Sequence, residues 1–330
     1  MRTLLKLMLV TAVMSSVVTG APPLAQPTRE KLTVGWSSFD ATFTPLWVTK
    51  EAGLFEKEGL DVELTYLESG TAATQALVAG QVEVVAAGGS AVMNARLSGA
   101  PVKMIASISN KLFQEVWAAK EITQPGELRG KKWGISSFGS EAHLAALLAL
   151  ERWGLKPDRD VVLIPISGGV SGRLAALSRG TISVTTLIPP AIRPAAESGL
   201  LNRLANTADI TGEYMSLPIA AQEATIQKRR PAIERFLIAL GKGVDRTRKD
   251  RELGTSAVAK YLNLKAKMPE ADAAYEFYRE VAPVNLQPTL PGIQYVLSRL
   301  EHPKAKAAQP AEFVALEILN DLTQRGAVPR

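Results

Sequence analysis

The sequence predicts an α/β protein of two similar lobes, each a mostly parallel sheet flanked by helices, with a helical C-terminal tail. Three observations lead there. Across residues 31–205, short apolar segments of strand character alternate with helix-like segments, joined by brief glycine-containing turns. That is the pattern of parallel sheets covered by helices. The pattern then restarts near residue 131 and matches itself at an offset of one hundred residues. Ala76, Leu77, Gly80, Val82 and Val84 align with Ala176, Leu177, Gly180, Ile182 and Val184. Ala91, Ala95, Ser98 and Gly99 align with Ala191, Ala195, Ser198 and Gly199. The same order of helix, glycine, strand, turn and helix recurs without a gap, which marks two related units rather than chance identities. After Tyr214 the alternation stops and only helix-like periodicity follows. At roughly 150 residues per domain, a chain of 330 residues accommodates two units.

The elements are expected in this order. Residues 31–37 (KLTVGWS) form a strand that leads into Ser38-Phe39-Asp40. Thr44 is placed as an N-cap with Pro45 at the first helical position, and the helix runs to Gly53. A strand at residues 62–67 is followed by Ser69-Gly70-Thr71, which opens a helix ending at Gly80. A strand at 82–86 is followed by Gly88-Gly89-Ser90, which opens a helix ending near Gly99, and residues 102–107 are a further strand. In the second unit, residues 131–136 are a strand and Phe138-Gly139-Ser140 opens a long helix over 141–153. A strand at 160–165 precedes Gly168-Gly169-Val170-Ser171, which opens a helix ending at Gly180. A strand at 182–187 precedes Pro189-Pro190, which opens a helix ending near Gly199, and residues 201–205 are a short last strand. The tail is read as helices over 232–246, 255–262, 271–281, 291–300 and 310–322.

The N-terminus carries a targeting signal. Arg2 and Lys6 precede a mostly apolar, uncharged run over residues 7–18, and small residues and prolines follow. Residues 1–25 are therefore expected to be a secretory signal peptide, cleaved after Gly20, Ala21 or Ala25. The apolar run is shorter than the roughly 20 residues of a membrane span. Cysteine is absent, which excludes disulfides, Cys-ligated zinc, iron–sulfur clusters, thiol nucleophiles and a lipidated N-terminal Cys. The two histidines, His143 and His302, are too few for a His-rich metal site. A net charge of +6 is too small an excess to mark a nucleic-acid binder, and the basic cluster Lys228-Arg229-Arg230 lacks aromatic neighbours. A soluble, periplasmic, monomeric protein is expected.

Ligands of parallel α/β sheets bind at the carboxyl ends of the strands. The segments there are residues 37–40, 68–71, 88–90, 137–140, 167–171 and 187–190, most of them rich in Gly and Ser and most running into a helix. A helix N-terminus offers unpaired N–H groups and a partial positive charge, which suits an anionic or strongly polar small molecule. The candidate ligand-binding residues are Ser38, Phe39, Asp40, Ser69, Gly70, Thr71, Gly89, Ser90, Phe138, Gly139, Ser140, Gly169, Ser171 and Pro189. The alternative is that these Gly and Ser residues only cap helices. Asp40 and Glu141 are candidate polar walls, with Asp40 alternatively stabilising its own turn; Trp36, Phe39, Phe138 and Tyr214 are candidate apolar walls, with Trp36 alternatively core. Arg173 is the best candidate for an arginine that clamps the ligand. Glu141 and His143, two apart on a helix, do not face each other, which argues against a catalytic pair. The glycine-rich 168–172 segment lacks the lysine and spacing of a phosphate loop, and Gly88-Gly89-Ser90 lacks the closing glycine of a nucleophile elbow. No catalytic residue, metal or cofactor is expected.

Several of these segments also carry a family likeness. Residues 31–36 (KLTVGW), 45–64 (PLWVTKEAGLFEKEGLDVEL), 76–84 (ALVAGQVEV), 99–103 (GAPVK), 127–133 (ELRGKKW), 154–157 (GLKP) and 176–180 (ALSRG) resemble the solute-binding proteins of nitrate, sulfonate, taurine and thiamine-precursor importers. The resemblance implies a two-lobed periplasmic binding protein of type II, with lobes joined by two crossovers and a small-molecule ligand held between them. It implies delivery of that ligand to ABC permease subunits in the inner membrane. Lobe one would comprise residues 31–112 and 216–330 and lobe two residues 113–215, with hinges near 110–116 and 214–218. Alternatives are an enzyme on the same fold, in thiamine-precursor or menaquinone-type biosynthesis, and a ligand-sensing subunit of a membrane receptor. Where the family usually has Asp after the Gly-x-Val of each repeat, this chain has Glu83 and Ser183. Ser183 is expected to remove a charge near the second lobe's part of the cleft.

Overall fold

The computed structural model describes residues 29–188, 192, 197, 199–264, 269–281 and 285–329. The expected signal peptide and the expected opening of a helix at Pro189-Pro190 lie outside the described residues.

Strands β1 (Glu30–Trp36), β2 (Leu60–Tyr66), β3 (Val84–Ala86) and β4 (Val102–Ser109) belong to one sheet; β5 (Glu115–Ala119), β6 (Lys131–Ile135), β7 (Val161–Pro165), β8 (Val184–Leu187) and β9 (Leu201–Asn206) form the other. The last strand, β10 (Leu217–Gln222), returns to the first sheet. The orders are β2-β1-β3-β10-β4 and β7-β6-β8-β5-β9. Both sheets have one plan. The pairs β1–β2, β1–β3, β6–β7 and β6–β8 are parallel, and the single antiparallel strand, β10 or β5, lies between two neighbours. In each sheet that strand is the one delivered by a crossover from the other lobe, so each lobe is completed by chain arriving from its partner. Neither strand is expected from sequence, which places hinges near 110–116 and 214–218 and the helical tail from 216 onward. The connections are correspondingly confined to residues 110–114 and 207–216. They are tied to each other: Gln114 N donates to Thr207 Oγ1 (2.9 Å), Thr207 N to Gln114 O (2.8 Å) and Tyr214 N to Asn110 O (3.2 Å).

Both faces of the first sheet are covered, so its strands read as near-continuous apolar runs. Alternation along each strand still sorts the side chains. Leu32, Val34, Trp36, Val84, Ala86, Ile219 and Ala221 enter one core, whereas Val85 and Ala220 enter the opposite one. The first core is closed by α1 (Thr44–Glu51), α2 (Leu54–Lys57) and the tail helix Arg230–Lys249. The second is closed by α3 (Gly70–Val78), α4 (Gly89–Leu97) and the tail helix Leu290–Leu297. The tail thus wraps lobe one. Its long helix crosses α1 so closely that a Cβ on Gly243 would lie 1.8 Å from Thr49 Oγ1.

In lobe two, α5 (Glu141–Arg152) and α6 (Gly169–Ser178) cover opposite faces of the sheet. Helix α5 also serves lobe one. Ala146, Ala149 and Leu150 pack into lobe two, whereas Leu144, Ala145 and Leu148 pack with Met93, Leu97 and Met215. A helix with apolar residues on two faces is buried on both, and here the two faces belong to different lobes.

Three local expectations need correcting. Thr44 is not an N-cap: Asp40 caps a 3₁₀ turn at Ala41–Phe43, and Thr44 begins α1 while its Oγ1 donates to Ala41 O (2.6 Å). The expected helix at 310–322 is broken into a 3₁₀ turn, Pro310–Phe313, and a helix, Glu317–Gln324. Between them Val314 bridges to Met104 and Ala315 N donates to Met104 O (2.8 Å), which covers the open edge of β4. Tyr214 is fully buried in the lobe-one core, not in a cleft wall. Among the described residues no helix is long and apolar enough to cross a membrane.

Candidate functional site

The carboxyl ends of the strands of both sheets face each other across one cleft, and the loops there place the charged groups. After β1, the turn that Asp40 caps holds its carboxylate inward, where Oδ1 accepts from Thr42 N (2.9 Å) and from Thr42 Oγ1. Asp40 is 2% exposed, and burial raises its pKa, while the hydroxyls of Thr42 and Ser38 and the charge of Arg173 oppose the rise. After β6, Ser140 caps α5 by accepting from His143 N (3.3 Å), which sets Glu141 in the first turn facing the crossover. Ser216 Oγ donates to Glu141 Oε1 (2.6 Å). Loss of water around Glu141, with Asp40 nearby, pushes its pKa up to about 8, so it is mostly protonated at neutral pH.

Arg173 comes from α6. It is 5% exposed, and burial lowers its pKa to about 10, so it remains a cation, with Asp40 the foremost charge favouring that form. Its only hydrogen bond among the described residues is a long one, Nη2 to Thr186 O (3.4 Å). Among the described residues, the buried atoms Arg173 Nε, Thr186 Oγ1 and Gln114 Oε1 have no partner. Buried polar groups are nearly always paired, so three such atoms in one region mark a place built to bond something else.

The lobes touch around this cleft. Ser137 Oγ donates to Ser69 Oγ (3.1 Å), Thr71 Oγ1 to Phe138 O (3.1 Å), Ser90 Oγ to Gly139 O (3.2 Å) and Gly168 N to Glu68 Oε1. At the same seam Gly169 has φ +61°, and a Cβ there would lie 2.8 Å from the Tyr66 hydroxyl, so both conformation and proximity call for glycine. Phe39 packs on Tyr66 with ring centroids 4.2 Å apart but is exposed and does not line the enclosed space. The enclosed space is small, about 60 Å³.

Of the residues expected from sequence, Ser38, Asp40, Ser69, Gly70, Ser140 and Gly169 line this cleft. Thr71, Ser90, Phe138 and Gly139 line a separate, larger cavity beside it, which also touches Ser140. Gly89 lies against the Met215 carbonyl, Ser171 is exposed, and Pro189 is outside the described residues. Trp36 is core. Sequence reasoning missed Glu68 as an interlobe contact, and missed Gln114 and Ser216, which come from the crossovers and carry no motif. The expectation for Ser183 is overturned. Ser183 immediately precedes β8 and bonds Lys132 O through its N–H (2.9 Å), whereas the cleft is reached past the other end of that strand, at Ile188. Glu83 occupies the matching place before β3, where Thr33 N donates to it (3.1 Å) and Arg229 pairs with it. The residue pair belongs to strand packing, not to the cleft.

His143 does not pair with Glu141. Its Nδ1 accepts from Gly139 N (3.1 Å), and burial lowers its pKa. Among the described residues no group of three or more His, Cys, Asp or Glu side chains is arranged to hold a metal ion. What the cleft assembles is a buried cation, a buried and a half-buried acid, and hydroxyls contributed by both lobes, an arrangement able to bond a small polar molecule.

The profile of the NMT1/THI5-like family matches residues 40–252, which include strands of both sheets and Asp40, Glu141 and Arg173 of the cleft. The chain belongs to this family. A taurine-binding periplasmic protein of Escherichia coli (strain K12) is 26% identical over 183 residues, which is 55% of this chain and 47% of that protein. The match therefore spans about half the length of that family relative. A structure from Bordetella bronchiseptica RB50 superposes with a TM-score of 0.78 at 20% identity, covering 91% of this chain and 98% of that one. The alkanesulfonate-binding protein SsuA from Xanthomonas axonopodis pv. citri, bound to MOPS, superposes with a TM-score of 0.69 at 17% identity, covering 93% and 96%. The family fold is thus the two-lobed, type II periplasmic-binding-protein fold expected from sequence.

Proposed function

We propose that this protein is a periplasmic solute-binding protein that captures a small solute bearing an anionic group in the interlobe cleft and delivers it to an ABC-type permease. Arg173 carries this reading: a desolvated cation with its Nε unpartnered is a fit anchor for a carboxylate, sulfonate or similar oxyanion. Thr186 and Gln114 offer further bonds nearby. Asp40 and protonated Glu141 would receive and donate hydrogen bonds at the polar remainder of the solute. The known ligands of the relatives, taurine and an alkanesulfonate, are of this chemistry.

Residues 31–112 and 216–330 act as lobe one and 113–215 as lobe two, turning about the paired connections. A ligand that bonds both lobes favours their closed arrangement by its differential affinity. Chemistry at the site is not proposed. The signal-peptide reading of residues 1–25 supports export. A thermal-shift screen of taurine, small alkanesulfonates, carboxylates and nitrate tests the reading. A ligand at about 100 times its dissociation constant adds roughly 2.7 kcal/mol of stability. Stabilisation by an oxyanion, lost in Ser140→Trp, supports it; conversion of any of these compounds to product contradicts it.

A further inference from the structure

We propose a second binding site, for an apolar carboxylic acid, in the cavity that adjoins the cleft. This cavity has a volume of about 1000 Å³, at the upper end of roughly 300–1,000 Å³ for small-molecule sites. It is walled by α3 and α4 from lobe one, the start of α5 from lobe two and the tail segment after Leu297. The apolar surface comes from Val78, Ala95, Leu144, Leu147, Leu300 and Pro303.

The walls also carry polar groups: hydroxyls and amides such as Ser98, Asn94 and Gln75, and the charged or imidazole side chains of Arg299, His143 and His302. Both histidines of the chain line this one cavity. Each accepts a backbone N–H at Nδ1, His143 from Gly139 (3.1 Å) and His302 from Lys304 (3.2 Å). The ring proton is therefore on Nε2 in both, and each Nε2–H is a donor; that of His302 lies 3.5 Å from Ser98 Oγ, at the outer limit of a hydrogen bond. Arg299 stacks on Tyr295, its guanidinium carbon 3.8 Å from the ring centroid. Its Nη1 bonds Ser298 Oγ (2.8 Å) and, at 3.4 Å, Tyr295 O, but among the described residues its buried Nε has no partner and no carboxylate pairs with the guanidinium. Glu301 also lines the cavity but is exposed, so water screens its repulsion of an anion. Apolar walls, a half-buried guanidinium that no carboxylate pairs with among the described residues, and imidazole donors fit an acyl or aryl chain that ends in a carboxylate.

The site is coupled to the lobes. The Phe138 and Gly139 carbonyls that accept from Thr71 and Ser90 across the seam belong to residues of this wall. An occupant touches both lobes and the tail at once.

Isothermal titration of the full mature chain with sodium decanoate tests this site independently of the cleft reading. Saturable one-to-one binding is expected. Val78→Trp, which fills the cavity from an exposed position on α3, is expected to weaken it by at least about tenfold. Arg299→Met is expected to weaken it by a similar, roughly tenfold factor while leaving the apolar walls in place. Arg173→Met, in the cleft, is expected to leave it within about twofold. The proposal is overturned by absence of saturable binding, by a titration that Val78→Trp and Arg299→Met both leave unchanged, or by one that Arg173→Met abolishes. In that last case the acid sits in the cleft, which would support the cleft's preference for anions while removing the second site.

Discussion

Replacing Glu141 by Gln should remove a pH dependence that this one side chain imposes on stability. In the folded protein the pKa of Glu141 is pushed up to about 8, from the 4.5 of a free glutamate side chain. Burial is the largest cause, with the Asp40 charge adding to it and the Ser216 hydrogen bond opposing it. Between those two pH values the folded state holds a proton that the unfolded chain has released, so stability falls as pH rises. The limiting slope is about 1.4 kcal/mol per pH unit, or at most roughly 2.7 kcal/mol between pH 5.5 and 7.5. His143, whose pKa burial lowers, contributes with the opposite sign, because the unfolded chain binds its proton more readily. Asp40, raised by burial, contributes with the same sign as Glu141. Subtracting the urea-unfolding free energies of wild type from those of Glu141→Gln at each pH cancels most of both, since Gln keeps the shape and an acceptor for Ser216. The difference should grow in favour of the variant as pH rises from 5.5 to 7.5, by on the order of 2 kcal/mol. A difference that stays flat, or that favours wild type increasingly at high pH, would show that Glu141 is ionised in the fold and refute the reasoning.

Other consequences follow from specific contacts. Gly243→Ala should cost about 1–3 kcal/mol in chemical denaturation, because its Cβ would meet the Thr49 side chain and force the long tail helix off α1; an unchanged midpoint would mean that this crossing is looser than described. Glu68→Ala removes the carboxylate that receives Gly168 N across the cleft, and should raise the radius of gyration of unliganded protein in small-angle scattering; a value equal to wild type would show that this contact does not hold the lobes together. Arg229→Ala leaves Glu30 and Glu83 without their shared guanidinium, and should lower stability by about 1–2 kcal/mol without altering solute affinity; an affinity change would tie the tail to the cleft.

Much of this fold is legible in the sequence because its devices are local. Glycine after a helix, an apolar run after glycine and a Ser or Gly before the next helix recur at an offset of one hundred residues. Gly80 and Gly180 indeed occupy the same left-handed conformation, with φ of 73° and 71°. The two missed strands lack such marks. Strand β10 (LPIAAQ) contains Pro218, which has no N–H for a ladder and ordinarily demotes a run to an edge or a bulge. It nevertheless sits between β3 and β4, and the register shift at Leu217/Pro218 accommodates it. Strand β5 begins at Glu115, whose charge reads as loop but is paired with Arg203 of β9 at 2.7 Å. Both strands are specified by neighbours distant in sequence.

The candidate site was legible to the same extent. Helix-capping residues such as Ser69 and Ser140 announce themselves, so the loops at the strand ends are found. Which of them face the cleft depends on helix rotation and lobe contact. Thr71 and Ser90 therefore turn toward the neighbouring cavity, while Ser216, with no local motif, reaches Glu141. Arg173 is placed by sequence in the first turns of α6, but its unmet hydrogen bonds are visible only in the packed protein.

The central claim is that Arg173 anchors an anionic solute between the lobes. Its most direct test is calorimetric titration of the best-stabilising oxyanion into wild type and Arg173→Met. Losing a buried charge-assisted bond should cost about 3 kcal/mol, so the account predicts roughly a 100-fold weaker dissociation constant in the variant. Equal affinity in the two proteins would contradict it.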